Sequence, residues 1–77
     1  MSQRPKTILI VDGDGATRAA FVALLQRQYR TLSAASGEAA VGILSQDEVD
    51  LLLVDANLPG ISGIELLRLV KENYTLP

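Results

Sequence analysis

The 77-residue sequence contains no cysteine, no histidine and no tryptophan. Without cysteine the chain can have neither a disulfide framework nor a thiolate metal site, and without histidine it has no zinc chemistry and no histidine-based acid–base catalysis of its own. No apolar run approaches the roughly 18 residues that a membrane span needs, and the polar residues 2–6 lack the apolar stretch of a signal peptide. We therefore expect a soluble, cytoplasmic protein.

Basic residues are also few. Seven Lys and Arg residues face nine Asp and Glu residues, for a net charge of -2, and they are scattered along the chain, which argues against a nucleic-acid-binding surface. A chain of this length is one domain at most and buries only about 60% of its unfolded surface. Its margin of stability is therefore thin.

An apolar run followed by a carboxylate stands near the middle of the chain. Residues 51–54 are consecutive apolar residues without alternation, which is typical of a strand buried on both faces of a parallel sheet. Asp55 follows directly, and Pro59 and Gly60 predict a turn soon after it. Ligands bind at the carboxyl ends of strands in open α/β sheets, so Asp55 is a candidate functional residue as well as a candidate turn cap.

A second run of the same kind covers residues 7–11 and is followed by Asp12 and Asp14. If the two strands are parallel, these carboxylates and Asp55 lie along one edge of the sheet, where they repel each other. Such a cluster requires either a bound cation or a protonated carboxylate, and oxygen ligands of this type suit magnesium or manganese. The sequence thus predicts a divalent metal beside a nucleophilic carboxylate.

Strand and helix patterns alternate along the rest of the chain. After a disordered lead at residues 1–6, the apolar spacing predicts strands at 7–11, 29–35 and 51–54 and helices at 16–28, 37–44 and 64–73. The predicted inward-facing residues of the last two helices are Ala40, Val41, Leu44, Leu66, Leu67 and Val70. Right-handed crossovers then give an α/β fold, a parallel sheet with helices on both faces.

Three segments of the chain, residues 8–12, 35–40 and 50–67, resemble the receiver domain of two-component response regulators. The resemblance extends over nearly the whole chain, and its most specific part is the D-x-N-L-P-G-x-x-G segment that runs from Asp55 to Gly63. It implies the flavodoxin-like three-layer fold, whose known strand order 2-1-3-4-5 gives 2-1-3 for the strands found here.

The resemblance also implies a function. Asp55 would accept a phosphoryl group from a sensor histidine kinase and relay that state to an output domain or a downstream protein, as a signalling module and not as an enzyme. Mg²⁺ would be held by Asp55, by the acidic residues Asp12 and Asp14, and by the backbone carbonyl of Asn57. No membrane and no direct nucleic acid contact are implied.

The sequence departs from the family pattern in two respects. Receivers carry adjacent acids after the first strand, whereas Gly13 follows Asp12 here and the next acid is Asp14. Binding of Mg²⁺ is therefore expected to be weak, and a degenerate receiver that binds partners without being phosphorylated is the main alternative. The family also places a Ser or Thr after a fourth strand and a Lys after a fifth, so residues 7–77 correspond to the N-terminal portion of a receiver.

The residues after the first strand also match two other motifs in part. Residues 13–18 follow a strand and open a helix as a dinucleotide fingerprint does, but Arg18 occupies the third glycine position, which leaves a dinucleotide-binding half-domain as a weaker alternative. A calcium loop is excluded because Ala16 and Ala23 replace two of its ligands.

The missing fourth strand leads to an expectation about assembly. Residues 51–54 would have unpaired backbone groups on one side, which form a template for another strand. We therefore expect the 77-residue chain to form a homodimer or an assembly in which elements are exchanged.

Overall fold

Strands and helices alternate in the computed structural model, which describes residues 5–56, 58, 60 and 62–73. The strands are β1 (Thr7–Val11), β2 (Arg30–Ala34) and β3 (Leu51–Val54), and the helices are α1 (Gly15–Leu25), α2 (Gly37–Leu44) and α3 (Gly63–Asn73). The predicted first helix is three residues too long, because residues 26–28 form the turn that leads into β2. In the described part of the chain, no helix has the length and apolar character that crossing a membrane requires.

The sheet has the order β2-β1-β3, and both strand pairs are parallel. This confirms the order that the resemblance implied. Val11, the last residue of β1, is paired with Ala34 on one side and with Val54 on the other. The three strands therefore end level with one another, and the residues that follow them meet at one edge.

The opposite end of the sheet is held by a reciprocal pair of hydrogen bonds. The Thr7 N–H donates to Asp50 Oδ2 at 2.7 Å, and the Asp50 N–H donates to the Thr7 carbonyl at 2.8 Å. The Asp50 carboxylate thus extends the ladder between β1 and β3 by one step and fixes its register. The Thr7 hydroxyl is buried and has no hydrogen-bond partner among the described residues.

Burial differs between the two apolar strands. All five residues of β1 are buried, whereas Leu51 of β3 is 51% exposed and the rest of β3 is half-buried. The prediction of a strand buried on both faces is therefore wrong for β3 and holds for β1. The reason is position, since β1 has a strand on each side and β3 pairs with β1 alone in the described part of the chain.

One face of the sheet packs against α2 and α3 and forms the core. Leu66 and Val70, four residues apart on α3, are buried there as predicted, but Leu67 is 49% exposed and the prediction that it faces inward is wrong. Leu67 lies about 100° around the helix from Leu66, which turns it away from the sheet. The buried members of this core are Leu9, Val11, Ala34, Ala40, Leu44, Val49, Leu58, Leu66 and Val70.

The other face of the sheet is covered by α1. Ile8 and Ile10 are buried on this face, yet no residue of α1 itself is buried, and Leu24 is 75% exposed. An open, mainly apolar cavity of about 440 Å³ lies beside α1 and is lined by Lys6, Ile8, Leu25, Tyr29, Asp50, Leu51 and Leu53. This layer is therefore thinner than the layer formed by α2 and α3.

Candidate functional site

Two of the predicted site residues, Asp12 and Asp55, lie next to each other at the carboxyl edge of the sheet. The Asp12 N–H donates to the Ala34 carbonyl at 3.1 Å, and the Asp55 N–H donates to the Val11 carbonyl at 2.9 Å. Each residue therefore continues the ladder by one step beyond its strand. Both line a single cavity of about 250 Å³, together with Ile10, Val11, Phe21, Leu53 and Val54.

Asp12 is held by hydrogen bonds at three of its polar groups. In addition to the bond from its own N–H, Asp12 Oδ1 accepts from the Asp14 N–H at 2.9 Å, and the Asp12 carbonyl accepts from Nη1 of Arg18 at 2.7 Å. The carboxylate therefore has a defined direction at the end of β1, with Oδ2 left for a further partner.

Asp14 occupies a different place from Asp12. It is the residue before the first turn of α1, and its Oδ2 accepts from the Thr17 hydroxyl at 2.6 Å. That hydrogen bond lowers the pKa of the Asp14 carboxyl below its ordinary value, which keeps the group ionised and engaged with the helix. The residues that line the cavity shared by Asp12 and Asp55 do not include Asp14.

The segment after β3 has one position, Gly63, at which the structure leaves no room for a side chain. A Cβ at Gly63 would lie 2.5 Å from the Asp55 carbonyl oxygen and 2.8 Å from the Cα of Ala56, closer than real side chains come. The Gly63 N–H also points toward the Ala56 carbonyl, at 3.4 Å. Helix α3 therefore begins directly against the backbone of Asp55, and only glycine fits there.

The start of α3 is also capped. The Ser62 side chain accepts from the Glu65 N–H at 3.2 Å, which satisfies one of the free amides of the first turn. Before it, Gly60 has a φ of 74° and faces the Glu38 carboxylate. Gly60 thus lies beside α2, and Ser62 caps α3.

The described oxygen donors fit Mg²⁺ only if water or phosphate oxygens complete its coordination. Asn57, the predicted carbonyl ligand, lies outside the described residues, and within the described ranges no three acidic side chains are grouped so that they could hold a metal. Mg²⁺ is, however, often bound by one or two carboxylates together with water and phosphate oxygens. Asp12 and Asp55, the two carboxylates that line the cavity, provide that minimum.

The family model for the response regulator receiver domain matches residues 8–77. The chain belongs to the response regulator receiver family. Among curated proteins, this receiver chain is 36% identical over 73 residues to the transcriptional regulatory protein AfsQ1 of Streptomyces coelicolor, which covers 95% of the chain and 32% of the relative. It is 37% identical over 65 residues to the sporulation initiation phosphotransferase F of Bacillus subtilis, which covers 83% of the chain and 52% of the relative.

Solved receiver structures share the fold. The signal receiver domain of an HD domain-containing protein from Pseudomonas fluorescens aligns with a TM-score of 0.89 at 29% identity, over 96% of this chain and 55% of that one. The response regulator TrrA of Thermotoga maritima, in complex with Mg²⁺ and BeF, aligns with a TM-score of 0.82 at 32% identity, over 87% of this chain and 59% of that one. The chain thus spans 32% to 59% of the length of these four relatives.

Sequence reasoning missed the roles of Thr17 and Arg18. The sequence shows Arg18 only as the residue at the third glycine position of a weak dinucleotide motif, whereas the structure shows it half-buried and bonded to the Asp12 backbone. Asp14 is a residue type that commonly precedes a helix, but its bond with the Thr17 hydroxyl joins two side chains and is not a cap bond to a backbone N–H. Arg18 carries no comparable signal, because its contact depends on how the side chain folds back over the first turn of α1.

Proposed function

We propose that this chain is the receiver module of a phosphorelay in which Asp55 accepts a phosphoryl group from a sensor histidine kinase. The observation that carries the proposal is the position of Asp55, which continues a parallel strand and lines a cavity with a second carboxylate, Asp12. In this family, the module signals and does not turn over a substrate. A cytoplasmic location agrees with that role.

In the proposed reaction, a carboxylate oxygen of Asp55 forms a bond to phosphorus while the bond from phosphorus to the imidazole nitrogen of phosphohistidine breaks. The electron pair of that bond stays on the imidazole, and the product is an acyl phosphate on Asp55. Asp12 and Asp55 would hold Mg²⁺, which when bound supplies positive charge against the repulsion between carboxylate and phosphoryl oxygens. The Mg²⁺–BeF complex of TrrA supports the assignment by family likeness.

Gly63 contributes by fixing the nucleophile. Because α3 begins against the Asp55 carbonyl, the backbone of Asp55 has little freedom, and an aligned nucleophile lowers the entropic part of the barrier. The same packing would carry a displacement of Asp55 into α3, which offers a route by which the phosphorylated state reaches an output domain or a downstream protein.

A second function is favoured by one observation. Gly13 stands where the family has an acid, and the described residues hold no group of three acidic side chains suited to a metal. A degenerate receiver, which binds partners without phosphorylation, would have this composition. The experiment below separates the two functions.

The test of Asp55 uses acetyl phosphate with MgCl₂ and intact-mass measurement. We expect the parent chain to gain the mass of one phosphoryl group and Asp55→Asn to gain none, because the amide is not a nucleophile for this step. Asp47→Asn is the matched control, because it removes the same charge from a carboxylate that contacts Arg30 at the surface. Label that persists in Asp55→Asn would contradict the assignment, and an unlabelled parent would support the degenerate receiver.

We also propose that the chain binds a second copy of itself. The edge of β3 has no strand beside it in the described part of the chain, and Leu51 exposes half of its side chain there. A strand from another copy would pair with this edge and would cover the apolar cavity next to it.

A further inference from the structure

We infer that Arg18 is a positioning residue for magnesium binding, which acts by holding the backbone of Asp12 so that its carboxylate faces the cavity shared with Asp55. The inference rests on the proposed function, because it takes Asp12 as a donor to Mg²⁺. Arg18 itself does not line that cavity, so its effect is transmitted through Asp12.

The position of the Arg18 side chain is the first observation. Nη1 donates to the Asp12 carbonyl at 2.7 Å, and Nη2 lies 3.4 Å from the position that a Cβ on Gly15 would take. The guanidinium therefore folds back from α1 across Gly15 and reaches the end of β1. Half-burial of the side chain shields this bond from water.

The loop that Arg18 spans is the second observation. The chain between β1 and α1 contains Gly13, and α1 itself begins at Gly15; glycine is the residue type that loses the most backbone freedom on ordering. Asp12 Oδ1 is tied to the Asp14 N–H, but that bond lies within the loop and moves with it. Arg18 instead anchors the loop to a helix, and it is the longest-range side-chain contact that fixes Asp12 in the described residues.

The hold of Arg18 on Asp12 matters for Mg²⁺ affinity because few carboxylates are present at the cavity. Since Asp12 is one of only two described carboxylates at the cavity, a change in its direction removes half of the charged donor set. Groups that orient a metal-binding side chain typically change metal affinity by about 10- to 100-fold when they are removed.

A plain electrostatic effect of Arg18 would have the opposite sign. A guanidinium near an acidic edge repels Mg²⁺, so its removal would tighten binding if charge alone mattered. Loss of positioning weakens binding. The direction of the change in affinity therefore distinguishes a positioning role from a mere charge effect.

The experiment is calorimetric titration of the 77-residue chain with MgCl₂ at low ionic strength, without a phosphoryl donor. We expect Arg18→Gln to raise the Kd for Mg²⁺ by about 10-fold and Arg27→Gln to leave it within about twofold, because Arg27 is an exposed residue just after the same helix and does not line the cavity shared by Asp12 and Asp55. An unchanged or lower Kd in Arg18→Gln would overturn the inference, as would a parent chain that binds no Mg²⁺.

Amide hydrogen exchange without metal gives a second readout. We expect the Asp14 amide to exchange about 10-fold faster in Arg18→Gln while the Ala40 amide, bonded to the Ser36 carbonyl within α2, is unchanged. Equal exchange of the Asp14 amide in parent and variant would contradict the anchoring role.

If Arg18→Gln does not fold, Arg18→Lys replaces it in the titration. This variant keeps the charge and loses the planar fork of the guanidinium, and a Kd for Mg²⁺ equal to that of the parent would then overturn the inference.

The proposed function fails separately from this inference. A parent chain that binds Mg²⁺ but gains no phosphoryl mass would refute phosphoryl acceptance, and the Arg18 variants would still be judged on Mg²⁺ affinity. A labelled parent whose Mg²⁺ affinity is indifferent to Arg18 would refute only the positioning role.

Discussion

At the scale of single residues, Gly63 lies closer to the backbone of Asp55 than any side chain would permit. Replacing it by alanine would bring a methyl group to 2.5 Å from the Asp55 carbonyl oxygen, and backbone must move to relieve the overlap. We expect Gly63→Ala to lower the free energy of unfolding by about 1–3 kcal/mol and to slow labelling of Asp55, measured by urea denaturation and by intact mass.

Gly42 provides the matched control for that substitution. It lies inside α2, and no atom would come within 4 Å of its Cβ. Gly42→Ala should therefore raise stability by about 0.5–1 kcal/mol and leave labelling unchanged. If Gly63→Ala is as stable as the parent chain, the close packing of α3 on Asp55 is wrong.

The hydroxyl of Thr7 is a second residue-scale feature with a measurable consequence. It is buried without a partner among the described residues, whereas the Thr7 backbone groups are both bonded to Asp50. Thr7→Val keeps the shape and the backbone bonds and removes the unsatisfied group, so we expect thermal or urea denaturation to show a gain of about 1 kcal/mol. Thr17→Val, which removes the donor to Asp14, should lower stability. A loss of stability in Thr7→Val would refute the assignment of the Thr7 hydroxyl as a buried group without a partner.

At the scale of elements, the sequence predicted correctly the helix bounds that contacts between neighbouring residues determine. Helix α2 has the predicted bounds, because Ser36 accepts from the Ala39 N–H and so marks the start within the sequence itself. The end of α1 was predicted too late. The turn at residues 26–28 leads to Arg30, whose N–H donates to the Lys6 carbonyl, and the helical pattern does not contain that contact between distant segments.

The burial of β3 could not be read from its own residues. Four apolar residues in a row describe the side chains of the strand but not the number of strands beside it, and β3 has one neighbour in the described sheet. In the same way, strand-end position was enough to bring Asp12 and Asp55 together. The engagement of Asp14 by Thr17 depends on side-chain conformation at a helix start, which the alternation of strands and helices does not specify.

At the scale of the whole molecule, the open edge of β3 leads to a prediction about association. We expect sedimentation of the 77-residue chain to show a homodimer or an element-exchanged assembly at micromolar concentration, with an interface that buries more than about 1,000 Å². Leu51→Lys should shift the equilibrium toward monomer, because lysine on an edge strand blocks pairing. Ile64→Lys is the control at another exposed apolar position, on α3.

The association prediction has a clear contrary result. A folded monomer that unfolds cooperatively, with no dependence on concentration, would refute it. So would a dimer that Leu51→Lys and Ile64→Lys weaken equally, since the interface would then not be the edge of β3.

The parallel register of the sheet also sets the order of events during synthesis. Ile8 of β1 pairs with Thr31 and with Leu51, so β1 must wait for partners that are made 23 and 43 residues later. At about 5–20 residues per second, the second partner follows after roughly 2 to 9 seconds. Until then β1, whose five residues are all buried in the finished fold, lacks at least one of its two neighbours. The nascent chain is therefore exposed to aggregation or chaperone binding through β1 before Asp55 has been translated.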